Sequence, residues 1–194
     1  MLRGRIPGRS LSFSLRRRIA AFVADCRGVA ATEFAFIVPL MLVMFFGTVE
    51  FCSGIAVDRK VTLMARTLSD LTSQSTSVSS SDFSNFFAAS TGIMYPYSTT
   101  PVNATISELY VDPSTMKATV KWSSGSAQRT TGTQVGIPAD LLVSGTYLIF
   151  SEVSYQYVPT VGYVMGKTGI NLSDVAYTRP RQSTCVYLSP ATSC

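Results

Sequence analysis

One carboxylate stands where a charge is costly. Glu33 lies near the start of V-A-A-T-E-F-A-F-I-V-P-L-M-L-V-M-F-F-G-T-V, residues 29–49, and positions 34–49 include no ionisable side chain. As a helix that uncharged core covers roughly 24 Å, and the smaller residues at 29–32 and 51–57 carry it past the ~30 Å of a bilayer's hydrocarbon. An ionised carboxylate costs on the order of 2.5–3.5 kcal/mol near a bilayer centre and less toward the interface, so Glu33 asks for a cation. The chain offers little other chemistry. It has no histidine, which removes the commonest general base and the commonest metal ligand. Nothing in its pattern calls for a metal or a cofactor.

Gly28 precedes Glu33 by five positions, and Arg27 precedes Gly28. Gly lacks a Cβ, so a protease can approach the backbone there. A cut between Gly28 and Val29 would give Val29 a free ammonium and make Glu33 the fifth residue of the mature chain. A basic leader ending in Gly, then four residues, Glu and an apolar helix, resembles the processing site of type IV prepilins. More narrowly, V-A-A-T-E-F-A-F-I-V-P-L resembles the TadE-like minor pilins (pseudopilins) of Tad, or tight-adherence, pilus systems, Pro39 included. The resemblance implies that Glu33 pairs with the Val29 ammonium, its own or a neighbour's, and so sets axial register during assembly. It implies a prepilin peptidase, a major pilin and other minor pilins, an inner-membrane assembly platform and a secretion ATPase as partners. The expected function is assembly of an adhesive Tad pilus, and the chain is not expected to be an enzyme.

The charge supports a membrane reading over a nucleic-acid one. Residues 1–28 hold seven arginines and one aspartate, a net of +6, so with +5 for the whole chain the remainder sums to −1. The basic character belongs to the leader, and the domain beyond it has no basic patch for nucleic acid. Placed on one side of the apolar run, the arginines put residues 1–27 inside and the carboxyl terminus outside, with a single pass. The resemblance implies that this membrane is a bacterial inner membrane, with the amino terminus cytoplasmic and the carboxy-terminal domain periplasmic. The expected organisation is a cleaved leader over 1–28, a transmembrane helix over 29–57, its periplasmic extension over 58–72, and a soluble domain over 73–194. An uncleaved, signal-anchored periplasmic binding or scaffold protein is the alternative. A tethered hydrolase would need a Ser–Lys arrangement, and Lys167 has no convincing Ser motif.

The elements follow from pattern. Pro39 removes one helical hydrogen bond and should kink or loosen the helix. Gly47 and Gly54 are seven apart, too far for a four-residue packing motif. Val57, Val61, Met64, Leu68 and Leu71 make an apolar stripe, with Arg66 and Asp70 spaced as an ion pair. One helix over 29–72 would be about 65 Å long. The Ser/Thr-rich stretch 72–81 ends it, and Ser80 or Ser81 caps a short helix bearing Phe83, Phe86 and Phe87. Asn103–Val111 and Met116–Trp122 alternate as a hairpin turned at Asp112–Thr115, with Met116, Ala118, Val120 and Trp122 on one face. Residues 123–135 read as an exposed loop and Pro138–Val143 as a helical turn. Tyr147–Val158 is the strongest strand, and Asp174–Thr178 is a last short one. The fold class is α+β: a long amino-terminal helix, then a three- to four-stranded antiparallel sheet with a short helix.

Four smaller signals complete the reading. Cys185 and Cys194 are read as a disulfide, with two free thiols as the alternative; the loop closed would be worth roughly 2–3 kcal/mol. Its position also resembles the carboxy-terminal loop of many pilins. Cys26 would leave with the leader, and Cys52 reads as a small packing residue. Asn103 and Asn171 sit in glycosylation-like triplets, taken as coincidence. G-K-T at 166–168 lacks the first glycine of a phosphate loop. Arg179 and Arg181 read as solvated surface, with pairing to acids of a partner subunit as the alternative.

Overall fold

Two helices open the chain. In the computed structural model, which describes residues 11–23, 28–159 and 169–192, α1 spans Leu11–Val23 and α2 spans Val29–Ser73. The helical assignment of α2 runs through Pro39 without a break. Its threonines suit a helix in apolar surroundings: Thr48 donates to the Met44 carbonyl at 2.8 Å, Thr67 to Leu63 at 2.8 Å and Thr72 to Leu68 at 2.9 Å. Each hydroxyl is thereby satisfied within its own helix.

The chain divides into two compact units, Met1–Thr48 and Val49–Cys194. The first carries the apolar start of α2. None of its most apolar window is buried, and side chains such as Phe36 stand 83% exposed. The second unit is built on the rest of α2. There the expected stripe turns inward: Val57, Val61, Met64 and Leu68 are buried, with Ala65 and Ser69 beside them, and Leu71 is half-buried.

The sheet packed on that stripe has the order β4-β3-β2-β5-β6, all antiparallel. Its strands are β2 Val102–Val111, β3 Ala118–Gly125, β4 Gln134–Val135, β5 Tyr147–Tyr157 and β6 Ile170–Thr178. Four are full strands; the fifth, β4, is a two-residue pairing inside the segment read as a loop. β6 begins four residues before the expected Asp174: I-N-L-S alternates apolar and polar side chains and simply continues the strand toward its start. A second sheet pairs β1, Ser77–Val78, in parallel with β7, Tyr187–Leu188. The Ser/Thr-rich segment after α2 is therefore tied to the far end of the chain.

The short helix α3, Ser80–Thr91, is capped by Ser79, not by Ser80 or Ser81. The Asp82 N–H donates to Ser79 Oγ and the Ser79 N–H to Asp82 Oδ2, a reciprocal capping box. Phe83 is buried, and Phe86 and Phe87 pack at its side as the spacing predicts. Lys60, from α2, donates to the carbonyls of Ile93 and Tyr95 at 2.8 and 2.9 Å, fixing the turn that follows α3.

Two cores lie on opposite faces of the sheet. The inner one joins α2 to Ile106, Trp122, Ile149, Val153, Tyr155 and Tyr157. The outer one gathers Leu109, Val111, Ala118, Val120, Leu148 and Phe150 under residues 135–142. The hairpin corrects the sequence reading in two places. Met116 adopts φ +53° and belongs to the turn, where Asp112 Oδ1 accepts from the N–H groups of Ser114 and Thr115. A bulge then shifts the register, since Glu108 faces Trp122 while Leu109 faces Val120, which leaves Lys121 extra. Ala118 and Val120 therefore face the outer core and Trp122 the inner one. A bulge of this kind moves every later side chain to the other face.

Candidate functional site at the start of the long helix

Gly28, Val29 and Glu33 are brought together by helix geometry alone. α2 begins at Val29, with Gly28 in the turn just before it. Val29 and Glu33 are four residues apart on a continuous helix, so they share one face about 6 Å apart along the axis. All three are exposed, and a Cβ built on Gly28 meets nothing within 4 Å. The backbone at Gly28 is therefore open to approach. Thr32 donates to the Val29 carbonyl at 2.8 Å, which satisfies one oxygen of this first turn. A carboxylate one turn from a helix start also faces the positive end of the helix dipole. Pro39 lies further along the same exposed segment, within unbroken helix.

The arrangement can hold a cation at the helix start, and it offers no nucleophile–base pair. Among the described residues, no group of three or more His, Cys, Asp or Glu side chains could bind a metal. Cys26, Arg27, Lys167 and Cys194 lie outside the described residues. Cys185 is buried and disulfide-bonded. Cys52 is a free, exposed thiol, not the packing residue expected.

One expectation about ion pairs changes. Asp70 pairs with Arg181 at 2.5 Å instead of with Arg66; the Arg181 side chain stays 58% exposed, so it lies on the surface as expected while pairing within the chain. The Arg181 N–H also donates to the Ser73 carbonyl, which brings the tail onto the end of α2. Sequence spacing along one helix could not show a partner more than a hundred residues away.

One chemically distinctive side chain escaped the sequence reading. Glu108 sits in the middle of β2 at 2% exposure. The Val186 N–H donates to its Oε1 at 2.7 Å, and the Trp122 indole N–H donates to the Val186 carbonyl at 2.6 Å. Burial pushes the Glu108 carboxyl up to about 7; the Val186 hydrogen bond, Trp122 and the nearby Lys121 pull the other way. Its parity with Ile106 on the inner face was the available signal. Glu50 is a second case: it accepts from the Tyr157 phenol at 2.9 Å, where α2 meets the end of β5.

The fold and the site together define a class: an α+β protein built on one long apolar helix, which opens on glycine and carries a glutamate one turn inside. The family model described as TadE-like protein matches residues 28–68, so this segment is TadE-like, and the resemblance read from its residues holds there. The matched stretch begins at Gly28 and runs to the last leucine of the buried stripe. No curated protein and no solved structure matches the chain.

Proposed function

We propose that this chain is a minor pilin or pseudopilin that takes part in assembling a Tad pilus. In this reading a prepilin peptidase cuts after Gly28 and residues 1–28 leave. The new Val29 ammonium meets Glu33 of its own or a neighbouring subunit. Segment 29–57 crosses the inner membrane once, 58–72 extends it, and 73–194 forms a periplasmic domain closed by a Cys185–Cys194 disulfide. The observation that carries the reading is the Gly28–Val29–Glu33 face at the start of an apolar helix, coinciding with the start of the family match.

The mechanism is physical. The helix packs among like helices of a major pilin and other minor pilins, and the carboxylate–ammonium match sets their axial register. Pairing removes the cost of a lone charge at the lipid boundary.

Amino-terminal sequencing of the chain recovered from cells is the direct test. The expected mature chain begins at Val29, and Gly28→Val leaves full-length precursor. Glu33→Ala should still be cleaved but lose most piliation. A wild-type chain that still begins at Met1 would overturn the proposal in favour of an uncleaved, signal-anchored protein.

A further inference from the structure

We propose that α1 is an interfacial helix that docks on the anionic phospholipid headgroups of the membrane crossed by α2. The inference rests on the reading of α2 as a span, but it concerns the leader before any cut.

The helical period supplies the surface. With 3.6 residues per turn, positions 11, 15, 19, 22 and 23 fall within an arc of about 120°, interrupted by Ser12. Leu, Leu, Ile, Phe and Val occupy those positions. The arginines at 16 and 18 fall at the two borders of that arc, and Arg17 falls opposite it, on a face that also carries Phe13 and Ala20. This is the distribution of a helix lying in a bilayer surface, where border cations reach phosphate while the apolar arc enters the acyl boundary. Ile19 is 55% exposed, Phe22 84% and Val23 79%, so these three side chains of the arc are uncovered by the chain's own described residues. Arg17 and Arg18 are exposed as well.

Charge and tether name the occupant. The leader carries seven arginines and one aspartate, the complement of an anionic surface. From Val23 to Gly28 five peptide steps reach at most about 18 Å. If α2 spans the bilayer, α1 cannot leave the headgroup region by more than this distance, and each arginine near an anionic surface is attracted by a small but additive amount. A docked α1 would also hold the Gly28–Val29 bond at the height of the headgroups.

The test uses the full chain, with Cys26 and Cys52 changed to serine, in vesicles of phosphatidylcholine with or without phosphatidylglycerol. An environment-sensitive fluorophore is placed by Ile19→Cys, Arg17→Cys or Leu42→Cys. With phosphatidylglycerol, the label at 19 should be blue-shifted and quenched by shallow spin-labelled lipid, while the label at 17 stays in water. Each of Arg16→Gln and Arg18→Gln should lower the lipid-buried fraction at 19 about fivefold. Label 42 in lipid with label 19 in water would overturn the docking and leave the span intact. Equal burial of label 19 in purely neutral vesicles would overturn the anionic preference. A water-exposed label at 42 would sink the span, and the docking with it.

Discussion

The two halves of α2 are made of similar residues and meet different fates. Over 34–46 the helix carries Phe34, Phe36, Leu40, Leu42 and Phe45, all exposed. Over 57–68 it carries Val57, Val61, Met64 and Leu68, all buried. The difference lies in arrangement. The second half gathers most of its apolar residues on one stripe, leaving Leu63 outside, and puts Asp58, Arg59, Lys60 and Arg66 elsewhere, so one face of a sheet can cover it. The first half is apolar all round, which no single sheet can cover and which suits lipid or a ring of like helices.

Substitutions that are alike in chemistry should therefore differ in cost. Leu68→Ala is expected to destabilise the domain by about 2–5 kcal/mol, and Leu42→Ala to leave its unfolding midpoint unchanged. Thermal unfolding in detergent, followed by Trp122 fluorescence, checks both. Equal effects would erase the contrast between the halves.

Glu108 sharpens the contrast from the domain side. Its folded pKa, about 7, lies above the ordinary carboxylate value, so the folded state binds the extra proton. The stability this adds is fully present below the unfolded pKa of about 4.5 and is lost as pH rises through 7. The expected loss is on the order of 3 kcal/mol. Glu108→Gln should flatten the dependence, and an undiminished slope in that variant would show that another group titrates. Smaller still, Ser79→Ala removes one side of the capping box and should cost about 1 kcal/mol, read from the same unfolding curves.

Much of this molecule is legible in its residues because the informative signals are local. The stripe from Val57 to Leu68, the Phe83 face of α3, and the alternation of Val153, Tyr155 and Tyr157 against Glu152, Ser154 and Gln156 each follow from one element's period. The Val29–Glu33 spacing is legible for the same reason, since four residues of helix put both on one face. What stayed hidden depends on distant chain. The bulge at Lys121 is seen only in its pairing with β2, so simple alternation puts Trp122 on the wrong face. The partner of Asp70 is Arg181, and the partner of Glu108 is the backbone of Val186. A lone glutamate among strand residues looks solvated until its neighbours are known.

The segment that leaves α2 is fastened to the tail at three points: Ser73 accepts from the Arg181 N–H, Thr76 from that of Tyr187, and Val78 from that of Ser189. These bonds close the domain like a buckle beside the stem. A mechanical load drawn along α2 would meet them together instead of one after another, since each must stretch before the stem can part from the tail. The domain would then hold or yield as a single body.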